Sequence, residues 1–274
     1  MSKADSFILV DAHVHIQDCF SFPQFFRCAY DNFKKQINSP GSDHFSAVLL
    51  LAEVVGTHSF KALRDLCDKG SVVVHDDVFG TWNLLKTAES YSLAVRSDKG
   101  ESLLIVAGRQ VVTEERLEVL ALITDQHFPD NEPLCRTVER IKTDGAVAVI
   151  PWGAGKWLGH RGKILTTFID SNSAKGTFIG DNGGRPMLWG VPEHFKQAQR
   201  RNLLVLPGSD PLPLANGIER VGSFGFRMSG RLSDHKPATE LKKRLFSSQA
   251  DVVPYGSLRP SFLFLKDQIS LRLK

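Results

Sequence analysis

The chain has 274 residues, 42% hydrophobic and 23% charged, with a formal net charge of +4. Such a length buries a sizeable core without disulfide or metal staples and suits one α/β domain, since α/β barrels run to about 250 residues. The small positive charge excludes a strong electrostatic footprint for nucleic acid, and the brief apolar run after Met1-Ser2-Lys3-Ala4-Asp5 excludes a secretory or membrane-spanning segment; the expectation is a cytoplasmic protein with no nucleic-acid and no membrane partner.

In chain order, Ser6 to Val10 reads as a buried strand because it is a short continuous apolar run. Gln24 to Ile37 carries helical apolar spacing and is broken by Ser39-Pro40-Gly41-Ser42. Ala47 to Leu51 is a second buried strand, and Phe60 to Cys67 a helix ending near Gly70. From Val72 to Ile123 helical periodicity fades. Val72 to Val74, Trp82 to Leu85, Tyr91 to Val95, Leu103 to Val106 and Leu117 to Ile123 read as strands, with a hairpin turn at Asp98-Lys99-Gly100. Regular alternation then resumes. Leu134 to Ile141, Lys156 to Phe168, Glu193 to Arg201 and Leu214 to Val221 are predicted helices; Ala146 to Ile150, Thr177 to Gly180 and Leu203 to Leu206 are predicted strands. Strands separated by helices of this length indicate parallel β-α units. The expected fold is therefore α/β, a distorted (β/α)7-type TIM-like barrel with a β-rich excursion around residues 72–102. It is expected as one domain over residues 1–274, with a helical tail at 236–274 that closes the barrel or covers its bottom. Four widely spaced cysteines, none in a CxxC pair, suggest buried reduced thiols.

The chemistry-bearing residues cluster at predicted strand ends. Asp11-Ala12-His13-Val14-His15-Ile16 follows the first strand, and period-two geometry sends His13 and His15 to one face. Two imidazoles on one face suit one divalent ion; the alternative is a hydrogen-bonded pair without metal. Gly208-Ser209-Asp210 follows a late strand, so Asp210 could ligate a metal or take a proton from water, or cap the helix after Pro213. Pro151-Trp152-Gly153-Ala154-Gly155-Lys156 offers a pocket wall in Trp152 and an anion-binding Lys156, or merely a tight turn before a helix. Asp181, Asn182 and Arg185 lie in a further strand-end loop whose Gly183-Gly184 also reads as plain turn chemistry. Arg109, Lys156 and Arg185 together would suit an acidic substrate. His58 could reach the same mouth, whereas His44, His75, His127, His194 and His235 lack a supporting pattern.

A strand followed by D-x-H-x-H, with a late strand ending in G-S-D, resembles the PHP (polymerase and histidinol phosphatase) family and, more widely, the amidohydrolase superfamily. The resemblance spans roughly Phe7 to Asp210. It implies a metal-dependent hydrolase acting on a phosphorylated or otherwise anionic small molecule, holding up to three metals. Departures from the family pattern reduce that number. Glu53 stands where T-D-H is usual, Gly108-Arg109-Gln110 replaces a carboxylate with an amide, and Glu118 replaces a histidine. Ile150-Pro151 and Asp210-Pro211-Leu212 each lack a ligand. The resemblance therefore implies one or two divalent ions (zinc, manganese or iron), held by His13, His15, Asp210, Glu53 and Glu118, with Asp210 as catalytic group. Arg109, Trp152, Lys156, Asp181, Asn182 and Arg185 would line the substrate site. The rival expectation is a metal-free, inactive barrel that binds a small anion. A third is a tail that packs on another subunit through Phe262, Phe264, Leu265 and Ile269.

Overall fold

A computed structural model describes residues 6–37, 45–69 and 73–272. The expected break at Ser39 to Ser42, His44, the helix end near Gly70 and the strand start at Val72 lie outside the described residues. Strand β1 (Phe7–Val14) leads into helix α1 (Phe22–Lys34), then β2 (Phe45–Leu51) and α2 (Ser59–Asp68). Four strands follow without an intervening helix: β3 (Val73–Asp76), β4 (Gly80–Lys86), β5 (Ser92–Ser97) and β6 (Ser102–Val106). Next come β7 (Gly108–Val112), β8 (Glu118–Leu122), α3 (Leu134–Thr143), β9 (Val147–Pro151), α4 (Gly159–Asp170), β10 (Phe178–Asn182), α5 (Glu193–Arg200) and β11 (Val205–Gly208). The chain ends with β12 (Phe224–Ser229), α6 (Pro237–Leu245), β13 (Val253–Gly256) and α7 (Ser261–Arg272).

These strands do not close into a barrel, which corrects the sequence expectation. They form two mixed sheets, one in the order β13-β12-β1-β2-β6-β5-β4-β3 and one in the order β11-β10-β9-β8-β7. The reason lies in the connections. Parallel neighbours need a crossover of a dozen or more residues, whereas a short link forces an antiparallel hairpin. Thr113 to Leu117 alone separate β7 from β8, so the two pair antiparallel, and β8 pairs antiparallel with β9. At the other end β12 returns antiparallel beside β1 and takes the edge that a further parallel strand would have occupied. Among the described residues, parallel pairing between strands joins β1-β2, β2-β6, β9-β10 and β10-β11, with isolated parallel bridges at Glu53–Arg109 and Pro186–Arg259. The region expected as a helix at Leu214 to Val221 is a short 3-10 helix over Ala215–Arg220.

Packing follows the alternation of side chains across each strand. Leu9, Leu49, Phe25, Phe33 and Trp82 fill the space between the larger sheet and α1 and α2. Val119, Ile150, Val138, Leu165 and Phe195 do the same between the smaller sheet and α3, α4 and α5. Ile8, Val10, Val48, Leu120, Val147 and Phe226 pack between the sheets, with Leu241 and Leu245 of α6 joining that core. Where the two sheets meet, the contacts are local. Asp210 N donates to His13 O at 2.8 Å, and Gln110 N to Glu53 O at 2.9 Å. No helix of the described residues is long and apolar enough to cross a membrane.

Candidate metal centre

The placement of the two histidines depends on one irregularity in β1. Ile8, Val10 and Ala12 face the core between the sheets, while Leu9 faces α1. Strict alternation would send His13 and His15 outward with Leu9. The register of β1 on β2 shifts between Asp11 and Val14, as at a β-bulge, and Val14 joins Leu9 in the outer core instead. A bulge re-aims the side chains that follow it. Here His13 and His15 turn to the end of β11.

Gly208 makes that meeting close. A Cβ at Gly208 would lie 2.3 Å from His13 N and 2.5 Å from His13 Cβ, so only glycine lets β11 run against β1 there. Asp11 fastens the same junction. Its carboxylate is fully buried and accepts from Ser209 N at 2.8 Å, Gly222 N at 2.8 Å and His13 N at 3.3 Å. Burial raises the Asp11 pKa to about 6, against the lowering effect of those hydrogen bonds. Asp11 therefore joins β1 to the loops after β11 and before β12 and does not point at the histidines' ring nitrogens. Asp210 follows with φ +46°, a left-handed backbone that a non-glycine residue adopts only under surrounding constraint.

The resulting group is compact. His13 Nε2 and His15 Nε2 are 3.0 Å apart, and Asp210 Oδ1 lies 3.4 Å from His15 Nε2 and 3.8 Å from His13 Nε2. All three donors fall within 4.8 Å of one another. Two nitrogens on one tetrahedral ion at about 2.05 Å would be separated by roughly 3.3 Å, so the pair has the spacing of co-ligands. The donor set of two imidazoles and a carboxylate could hold a divalent ion. Electrostatics agrees with that use. Burial would raise the Asp210 pKa, but His13, His15 and Asn182 outweigh it and hold the carboxyl well below the usual range. Burial lowers the pKa of His13 despite the pull of Asp210. An ionised carboxylate and a neutral imidazole are the ligand-competent forms. Asn182 orients the carboxylate: its Nδ2 donates to Asp210 Oδ2, and its own Oδ1 accepts from Gly184 N at 2.7 Å.

The two other carboxylates expected as ligands each have partners of their own, and Glu118 still borders the cavity at His15 and Asp210. Glu53 Oε1 accepts from Phe60 N at 2.7 Å, in the first turn of α2, and Oε2 lies 3.3 Å from Arg109. Glu118 pairs with Lys156 Nζ and accepts from Gln110 Nε2 at 3.0 Å. The cations expected to attract an acidic substrate are also paired internally: Arg109 with Glu53, Lys156 with Glu118, and Arg185 with Asp181 through two bonds of 2.9 Å. Trp152 is buried edge-on to Trp189, with ring centroids 5.8 Å apart. His58 is exposed before α2. A cavity of about 290 Å³ borders the group, lined by His15, Gln110, Glu118, Lys156, Asn182 and Asp210 together with Phe264, Asp267 and Gln268 of α7. Helix α7 thus lies over the mouth rather than the bottom. Arg220, Arg259 and Asp267 stand beside Asp210 and were not expected from the sequence; no spacing rule links them to the histidine motif.

No family model matches the chain, and no curated protein matches it. Among solved structures, it resembles PsfC from Pseudomonas syringae PB-5123 at a TM-score of 0.58 and 13% identity, over 97% of this chain and 98% of that one. That likeness is one of fold. Looser likenesses are to Endonuclease Q in complex with a 27-mer duplex substrate carrying an abasic lesion (TM-score 0.42, 10% identity, 88% of this chain and 56% of that one). The lesion-specific endonuclease PfuEndoQ from Pyrococcus furiosus is similar at a TM-score of 0.41 and 9% identity, over 95% of this chain and 71% of that one. Two of the similar structures being endonucleases, one with duplex substrate, the expectation that excluded nucleic acid is withdrawn.

Proposed function

We propose that this chain is a metal-dependent hydrolase of phosphoesters, with one divalent ion held by His13, His15 and Asp210. The observation that supports this reading is the convergence of three ligand atoms from two separate strand ends, with Nε2 atoms 3.0 Å apart. The resemblance of Asp11-Ala12-His13-Val14-His15 to the opening motif of PHP proteins points the same way. A bound zinc, manganese or iron ion would supply Lewis-acid activation of water and of a phosphoryl oxygen. The chain's own groups do the rest. Asn182 fixes the rotamer of Asp210, Gln110 and Lys156 hold Glu118 at the cavity wall, and Trp152 closes one side. Glu53, engaged at the start of α2, is not counted among the ligands.

Elemental analysis of the purified protein should find about one equivalent of a divalent metal. The double variant His13→Ala, His15→Ala should lose it while staying folded. Native protein that carries no metal, and takes none up on titration, would sink the proposal. A second reading, a non-catalytic anion-binding protein, draws on the amide at Gln110 and the missing ligands at Ile150 and Leu212. Metal-dependent turnover of phosphomonoesters or phosphodiesters, lost in Asp210→Asn, decides against it.

A further inference from the structure

We infer that Arg220 and Arg259 form an anion-binding site beside Asp210, and that Asp267 of helix α7 is its internal occupant. The two arginines line one small cavity of about 20 Å³ together with Ser209, Asp210 and Asp267. Every basic side chain discussed so far at this mouth has a carboxylate partner. Arg220 differs: among the described residues no carboxylate lies within ion-pair distance of it, and its Nη2 donates to Gly183 O at 2.8 Å. Burial and the neighbouring Arg259 act against its charge and outweigh the support of Asp11, Asp267 and Asp210. Two guanidinium groups brought together in a partly buried place call for an anion between them. Arginine forks match the oxygens of phosphate and carboxylate.

Asp267 supplies that anion from within the chain. Its Oδ2 accepts from Arg259 Nε at 2.8 Å and its Oδ1 from Arg259 Nη2 at 3.1 Å. The helix that carries it docks in an unusual way. A surface helix ordinarily buries an apolar stripe. Of the α7 residues only Asp267 is buried, while Phe262, Leu265 and Ile269 are 70%, 61% and 59% exposed. Phe264 also rests against Trp189 with centroids 5.7 Å apart, and Leu263, Gln268 and Leu271 are half-buried. Ionic attachment of this kind yields to a competing anion, whereas an apolar face would not. Because Phe264, Asp267 and Gln268 also wall the cavity at His15 and Asp210, displacing Asp267 opens the way to the histidines. The ligand class is a phosphoryl group or a comparable oxyanion. The inference rests on the metal-site reading only for what that anion is placed next to.

The test uses full-length protein stripped of metal with a chelator and titrated with inorganic phosphate. Asp267→Asn should bind phosphate about tenfold more tightly than the parent protein, and adding Arg220→Met should abolish the gain. In the parent protein, saturating phosphate should accelerate amide hydrogen exchange across residues 261–272. Equal phosphate affinity in parent and folded Asp267→Asn overturns the inference, as does phosphate binding that leaves exchange in α7 unchanged. If Asp267→Asn fails to fold, the exchange measurement on the parent chain decides. Absence of metal from native protein would defeat the proposed activity without touching this titration.

Discussion

At the scale of single residues, the candidate centre depends on positions that hold backbone rather than ligand atoms. Gly208 is the sharpest case, because any Cβ there meets His13 N at 2.3 Å. Gly208→Ala should push β11 away from β1, cost about 2 kcal/mol in urea denaturation and lower metal retention on dialysis. Unchanged stability with full metal content would show that the junction has slack. The histidine pair was legible in the sequence because its signal is local, a polar motif closing an apolar strand. A shared inward face was expected from period-two spacing, but the bulge that produces it leaves no mark in the residue pattern. Glu53 and Glu118 have partners that the sequence does not show. A carboxylate at a strand end reads as a ligand, yet the first turn of α2 and Lys156 reach these two.

At the scale of elements, buried acids terminate helices whose own N-caps provide no side-chain bond. Glu89, in the β4-β5 link, accepts from Ala238 N at 3.0 Å and Thr239 N at 2.7 Å, in the first turn of α6, and from Ser92 Oγ at 2.7 Å. Burial alone would raise its pKa, but the bonds from Thr239, Ser92 and Ala238 prevail and lower it. A depressed folded-state pKa means a stabilising contribution that is complete above the unfolded value. That contribution is lost as pH falls from about 4.5 through the folded value. Glu89→Ala should therefore destabilise the protein by about 3 kcal/mol at neutral pH, with the deficit shrinking in acid. Denaturation midpoints from pH 7 downward check both parts; a deficit independent of pH would contradict the assignment. The helices themselves were legible from apolar spacing. Strand β7 was missed because Gly108-Arg109-Gln110-Val111-Val112 has no apolar run, and β12 because Gly225 and Arg227 interrupt the apolar residues of Phe224 to Ser229.

At the scale of the whole molecule, the α/β character was legible but the closure was not. Alternating helices and strands suggest parallel units, while the length of each link decides direction. Short links around β7 and β8 and the antiparallel return of β12 turn the expected ring into two sheets. The tail helix was legible as a helix, but its place over the centre was not, since α7 meets the histidines far from them in the chain. The division into sheets carries a further consequence. His13 belongs to the larger sheet, His15 follows its strand β1, and Asp210 follows the smaller sheet. An ion shared by them would act as a rivet across the seam, and its loss would loosen the molecule where few backbone bonds cross. Chelation should then lower the melting temperature of the native protein. At an ion concentration one hundredfold above Kd, the linkage is worth about 2.7 kcal/mol. The same chelator should leave the melting temperature of the His13→Ala, His15→Ala variant unmoved. Thermal melts of both proteins, with and without chelator, would show whether the prospective reaction centre is also the fastener of the fold.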